Sequence, residues 1–291
     1  MGRTVIFNAD DFGLTEGVNA GIIGAYRRGL VRSASLMVTT PGFCDAAALG
    51  RAYPGLDLGV HLALTGVGPL LPAERIPSLL GLGGRFPPLG VWLRRAAIGR
   101  LRPAEVAAEL RAQLLRALDT GLSFSHLDGH HHIHLFGPVA AIVGALAREF
   151  GIPIVRRVRS RRAAPPGAGR PPGATSPKGL LLAGADARWG GAAFAGLARA
   201  DAFRGLAFPG DLAGWARLAR SCPPGTTEIM CHPGLADPAV GALDSAIAQR
   251  ERELRWLCDE RVWALFARAG IAVTGFGRLL DLPPSAPLPV R

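Results

Sequence analysis

Apolar residues along this chain follow two alternating patterns: short β-rich runs, and stripes that repeat every three or four positions. The runs predict strands and the stripes predict amphipathic helices. TVIFN (4–8) predicts a first strand that ends at Asp10-Asp11-Phe12-Gly13, and a helix is expected over about 17–28, closed by Gly29. SASLMV (33–38) predicts a second strand, 45–52 a short helix, and LDLGVHLAL (56–64) a third strand. Pro103 opens the clearest helix, with Val106, Leu110, Leu114 and Leu118 on one stripe and Gly121 beyond it. SFSHLDG, then 138–151, then PIVRRV (153–158) continue as strand, helix and strand. Two helical regions are expected over 180–220. A strand follows at TEIMCHPG (227–234), then a long helix over about 243–269 and a closing strand at IAVTGF.

Two segments interrupt this rhythm. Residues 66–102 are rich in Gly and Pro and read as an insertion or lid. The 160–180 region, with APPGAGRPPGATSPKG at 164–179, reads as a mobile loop of low complexity. The βαβα alternation implies parallel strands with right-handed crossovers, hence an α/β barrel or a doubly wound sheet, spanning 1–291 as one domain.

Composition narrows the class. Hydrophobic residues make up 49% and charged residues 19%, which is globular and not disordered. No uncharged apolar run reaches the roughly 18 residues a membrane span requires. The apolar run at the start meets two aspartates at once, which does not suit a signal peptide. The four cysteines (Cys44, Cys222, Cys231, Cys258) form no CxxC pair, so neither a disulfide framework nor a cysteine metal site is indicated. A cytoplasmic enzyme is the expectation. Net charge is +11 and Lys178 is the only lysine, so the excess is arginine, densest in RRVRSRR at 156–162. That patch reads either as a grip on phosphate, nucleic acid or an anionic membrane, or as a solvated strand end and loop. Aromatics are 7% and no nucleic-acid motif accompanies the arginines, so no nucleic acid is expected as a partner.

SHLDGHHHIH (125–134) holds five of the seven histidines. As a strand, it would align His126, Asp128, His130, His132 and His134; as a helix, His126, His130 and His134. Other expected strand ends supply Asp10 and Asp11, His61 and His232. In parallel α/β folds these ends face one crevice or barrel mouth. Together they offer a carboxylate and two imidazoles for a metal, plus a spare carboxylate and a spare imidazole for proton transfer. Alone, Asp10-Asp11 reads equally as a helix N-cap, and His61 as a hydrogen-bonded core residue. Cys231 precedes His232 and should point the other way along a strand, into packing. No GxSxG elbow or phosphate-binding glycine loop is present, which removes the serine hydrolase and nucleotide-binding classes.

NADDFGLTEGVNAGI, SASLMV, LGVHLALT, SHLDGHHHIH and TEIMCHPG together resemble the successive motifs of the YdjC-like carbohydrate deacetylases, over 1–160 and from 227 onward. That family includes chito-oligosaccharide deacetylases and a hopanoid-biosynthesis branch. The resemblance implies a distorted, TIM-barrel-like (β/α) barrel that hydrolyses N-acetyl groups of amino sugars with one divalent metal, Mg or Zn. It implies Asp11, His61 and His126 as ligands, Asp10 as the base that activates water, and His232 as the acid for the leaving amine. Asp128 and His130 would support the substrate pocket, with His131, His132 and His134 behind it or at the surface. The implied partner is an N-acetylated sugar or glycoconjugate. A membrane glycolipid such as a glycosylated hopanoid, reached by peripheral contact with an anionic membrane, is the alternative, and a homodimer is compatible with either. Other readings are a metal-dependent phosphoesterase on the same scaffold, a binding protein without turnover and an arginine-driven nucleic-acid binder.

Overall fold

The computed structural model describes residues 2–162, 164–165, 176–205, 207–237 and 247–280. Eight strands form one curled sheet: β1 (Arg3–Phe12), β2 (Ser33–Leu36), β3 (Asp57–Leu62), β4 (His126–Gly129), β5 (Ile154–Val155), β6 (Ala202–Arg204), β7 (Gly225–Cys231) and β8 (Ile271–Val273). Every ladder is parallel, in the order β5-β4-β3-β2-β1-β7-β6, and β8 pairs with the first residues of β1. β1 meets β2 only from Asn8 onward, so β8 fills the gap that opens below that point. β5 meets the segment leading into β6 through a parallel bridge between Ile154 and Ala198. This is the distorted (β/α) barrel.

Alternation along β1 explains how the sheet divides its contents. Val5 and Phe7 pack outward under the helices, where Phe7 meets Phe266 edge-on at 5.2 Å. Ile6 faces inward with Ile154 and Phe276, plugging the lower end of the barrel. Asn8 and Asp10 continue that inward column toward the mouth.

Helix α1 (Glu16–Arg28) starts at Thr15, whose hydroxyl accepts the Val18 N–H. The cap role is thereby taken, and Asp10 and Asp11 do not serve it. Between β1 and α1 the chain turns at Gly13, φ +99°, where a Cβ would run into the Met37 carbonyl.

The 66–102 segment is more structured than its Gly/Pro content suggests. It includes α3 (Leu89–Ala97), which follows α2 (Phe43–Ala52), and it buries Ile76, Leu79, Phe86 and Trp92. Two acids on α4 (Pro103–Leu118) tie it down: Glu109 accepts the Leu70 and Leu71 N–H groups, and Glu105 accepts that of Ser78. α5 is Gly137–Glu149. The 180–220 region holds α6 (Pro177–Ala185) and α7 (Leu212–Arg220), and also β6, which the alanine-rich sequence conceals. The long helix expected over 243–269 is two, α8 (Ile247–Leu257) and α9 (Glu260–Arg268), separated where Asp259 caps the second through the Arg261 N–H. Most of the 164–179 stretch lies outside the described residues.

Candidate active site

Strand register decides which histidines can meet. His126 pairs with Gly59, and Asp128 pairs with His61. At about 3.3 Å per residue, His126 sits two residues lower in the barrel than His61. A Cβ at Gly59 would strike the His126 ring, so the Gly of the GxH motif makes room for it. His126 is fully buried against Phe276 at 4.0 Å, and both ring nitrogens are engaged: Nε2 with Ser35 Oγ at 3.1 Å, Nδ1 with Ser125 Oγ at 2.9 Å. The structure therefore does not bring His126 to Asp11 and His61, where it was expected.

His130 stands there instead. Beyond Gly129 the strand gives way to a short 3-10 turn in which His131 and His132 adopt φ of 54° and 59°, in the left-handed region. The turn brings His130 Nδ1 to 3.0 Å from Asp11 Oδ1, with His61 Nε2 3.4 Å from the same oxygen. Asp11 also has positive φ, 67°, beside a register shift in the β1–β2 ladder. Adjacent strand residues ordinarily point to opposite faces, and this irregularity lets Asp10 and Asp11 line the same cavity.

That cavity, of about 230 Å³, lies at the C-terminal strand ends. Asp10, Asp11, His61, His130 and His232 all line it, with Lys178, Gln249 and Arg250. Asp128 does not: it is fully buried beneath, where it accepts His61 Nδ1–H at 2.7 Å and the Ser35 hydroxyl at 2.8 Å. Its work is to fix the His61 tautomer and aim Nε2 at the cavity. His132 and His134 are buried and not at the surface: His132, with His131, lines the cavity, while His134 lies behind it with Nε2 3.2 Å from the Arg156 carbonyl. Burial lowers His131 to about 3 and His134 to about 4, so both stay neutral. Cys231 is buried, with its thiol toward the Asn8 carbonyl.

Sequence reading missed the two arginines that organise the carboxylates. Arg156, the first residue of RRVRSRR, is fully buried inside the barrel and is no part of a solvated patch. It donates Nη1 and Nη2 to the two oxygens of Asp10, both at 2.6 Å, and Nε to Glu228 at 2.6 Å; Nη2 also lies 2.8 Å from Asp128. Arg250, on α8, reaches Asp11 Oδ2 at 2.5 Å. Arg156 follows β5 directly, so the strand-end rule that picked out the other residues applies to it too. For Arg250 the sequence carries no signal.

Three carboxylates around Arg156 leave the barrel centre negative. Burial pushes Glu228 up to about 7, with Arg156 pulling the other way, and its Oε2 meets no partner among the described residues. A carboxyl raised above its ordinary 4.5 stabilises the fold fully below pH 4.5 and loses that contribution as pH rises through 7. Glu228→Gln should therefore flatten stability against pH across this window, by up to about 3 kcal/mol. Urea midpoints of the metal-free protein at pH 5 and pH 8 would check it. A parallel shift of both proteins would contradict it.

The donor set suits a cation. Asp11, His61 and His130 each offer a ligand atom within 4.8 Å of one another, as do Asp10, His61 and Asp128. Ligands about 2.0–2.1 Å from a tetrahedral zinc stand roughly 3.3 Å apart, close to the separations of His130 and His61 from Asp11 Oδ1. His61 is pushed up to about 10: burial alone would lower it, but Asp128, Asp10 and Asp11 together reverse the sign. Its Nε2 thus holds a proton where a metal ion could replace it. Burial works against the Asp11 carboxylate, yet Arg250 and His130 hold it well below the usual range.

A curled parallel sheet with aspartates and imidazoles converging at its C-terminal ends defines a hydrolase-like α/β barrel. The chain belongs to the YdjC-like protein family, whose model matches residues 4–268. A carbohydrate deacetylase of Geobacillus stearothermophilus is 34% identical over 284 residues, covering 97% of this chain and 100% of that one. A chitooligosaccharide deacetylase of Serratia marcescens is 42% identical over 156 residues, spanning 53% of this chain and 59% of that one. Among solved structures, an Enterococcus faecalis V583 protein described as a candidate cellobiose-phosphate cleavage protein superposes with a TM-score of 0.77 at 27% identity, covering 96% of this chain and 99% of that chain. No helix among the described residues is long and apolar enough to cross a membrane.

Proposed function

We propose that this chain removes the N-acetyl group from an amino sugar by metal-dependent hydrolysis, with Asp11, His61 and His130 as the metal ligands. The observation that carries this reading is their convergence, next to Asp10, in a cavity that His232 also lines. One carboxylate and two imidazoles suit zinc better than magnesium, which prefers oxygen ligands. When bound, such an ion polarises the amide carbonyl and acidifies water.

The protein supplies the rest. Asp10 accepts the proton of the attacking water, and the Arg156 fork fixes its carboxylate in one orientation. Asp128 keeps His61 from turning. His232 donates a proton to the departing amine, which cannot leave as an anion. Its backbone N–H is anchored to Glu253 at 2.6 Å, which sets where the ring starts.

His232 is half-buried, so water can replace it in part. His232→Ala should therefore cost roughly 10²-fold in kcat, the low end for a general acid. The loss should shrink on an activated aryl acetate, whose leaving group needs no proton. An equal loss on both substrates would assign His232 to substrate positioning.

A second reading, an N-acetylated glycolipid at an anionic membrane surface, has one observation in its favour. Helix α6, which carries Lys178 to the cavity, exposes Leu180 and Leu181 at 60% and 50%. Acetate release from N-acetylated chito-oligosaccharides and from vesicle-borne N-acetylated glycolipids, with phosphate release from phosphorylated disaccharides alongside, tests both readings. Acetate from the soluble sugars supports the first. Acetate from the vesicles alone supports the second, and phosphate without acetate overturns both.

A further inference from the structure

Arg156 points into the barrel, and the residues after it build something on the outside. A second cavity, of about 460 Å³, opens at the seam where the chain after β5 and the chain before β6 lie side by side. It is lined by Arg157, Arg159, Ser160, Arg161, Phe194 and Arg199, and shares no residue with the catalytic cavity.

We infer that this seam pocket binds a phosphate-bearing ligand carrying at least two negative charges. Four guanidinium groups line one concavity, and the carboxylate nearest them is already in use. Asp186 pairs with Arg157 Nε and accepts the Arg159 N–H at 2.7 Å. Asp201, further along the seam, is engaged by Arg162 and by the Thr226 N–H. The balance is an excess of positive charge.

The groups are also placed to bind. Arg199 donates Nη2 to the Arg159 carbonyl, while its buried Nε meets no acceptor among the described residues. Arg157 lies over the Phe194 ring at 5.5 Å, which holds the guanidinium plane. Ser160 Oγ accepts from the Phe203 N–H and Arg204, leaving its O–H as a donor. Burial and the neighbouring Arg157 and Arg161 pull Arg199 down to about 10, a repulsion that a bound anion would relieve. Planar guanidinium forks match tetrahedral oxyanions bidentately, which is why arginine is favoured at phosphate sites. The volume accommodates pyrophosphate or a phosphomonoester with one attached ring.

The phosphate could be free or part of a lipid headgroup, and the test separates the two. Inorganic phosphate and pyrophosphate are titrated calorimetrically into wild type, Arg159→Gln/Arg199→Gln and Arg161→Gln. The same proteins are sedimented with phosphatidylglycerol and phosphatidylcholine vesicles. Arg161→Gln leaves the backbone bonds of the seam in place, so it reports even if the double variant folds poorly. Saturable pyrophosphate binding is expected, tighter than phosphate and weakened roughly ten- to a hundredfold for each guanidinium lost. Deacetylation of a soluble sugar should stay unchanged in Arg161→Gln. Binding to phosphatidylglycerol vesicles alone, with the same loss in the variants, assigns the phosphate to a lipid. Failure of both probes to bind at low salt, or binding that the substitutions leave intact, overturns the inference.

Discussion

His61→Ala and His130→Ala should each leave the protein folded, without bound metal and nearly inactive, while His126→Ala should retain the metal. The first two remove a ligand nitrogen at the barrel mouth; His61→Ala also takes one partner from buried Asp128, which Arg156 and Ser35 still hold. Loss of the ion forfeits several kcal/mol of transition-state charge stabilisation, or roughly 10³–10⁴-fold in kcat/KM. His126 contributes differently. Its ring fills the space over Gly59 and satisfies Ser35 and Ser125, so truncation opens a cavity and costs stability of about 2–4 kcal/mol. Metal analysis with urea denaturation on the three variants separates the two kinds of loss. Full metal occupancy in His130→Ala, or an empty site in His126→Ala with a normal midpoint, would refute the assignment.

Arg156→Met should destabilise the fold by about 3–5 kcal/mol and also abolish most turnover. Removing the guanidinium strands Asp10, Asp128 and Glu228 as buried charges without their shared partner, which is far more costly than replacing a whole ion cluster. Without Arg156 to pull them down, the Asp128 and Glu228 carboxyls would rise, so the deficit should widen as pH rises and shrink as they protonate. Arg157→Met, one residue on, should cost less because its guanidinium serves one carboxylate, Asp186, which keeps the Arg159 N–H as a partner. Thermal midpoints of both variants at pH 5.5 and 8 provide the comparison. Equal small losses would mean that Arg156 is not the charge centre described.

The same contrast shows where the sequence could and could not be read. Asp10, Asp11, His61 and His232 were legible because strand ends in a parallel fold share one mouth, and each could be assigned to a strand end independently. His126 misled because a strand end has depth: its ladder partner is Gly59, and that register is a tertiary fact. His130 reaches the cavity only through a turn with two left-handed histidines, a conformation no local propensity favours. Asp10 and Asp11 share a face because of an irregular pairing that their own residue types do not announce. Arg156 was hidden by abundance. In a chain this rich in arginine, one buried guanidinium looks like its exposed neighbours until the barrel closes around it. β6 was lost for a related reason, since AFR within an alanine-rich stretch reads as helix.

We propose that acetate release depends on a single cation held by Asp11, His61 and His130. It is tested most directly by titrating metal-stripped protein with zinc while measuring acetate release from an N-acetylated chito-oligosaccharide. No release is expected at the start, then a linear rise with added zinc and a plateau at about one equivalent per chain, as a single three-ligand site with an open position requires. Undiminished release from the stripped protein would contradict it.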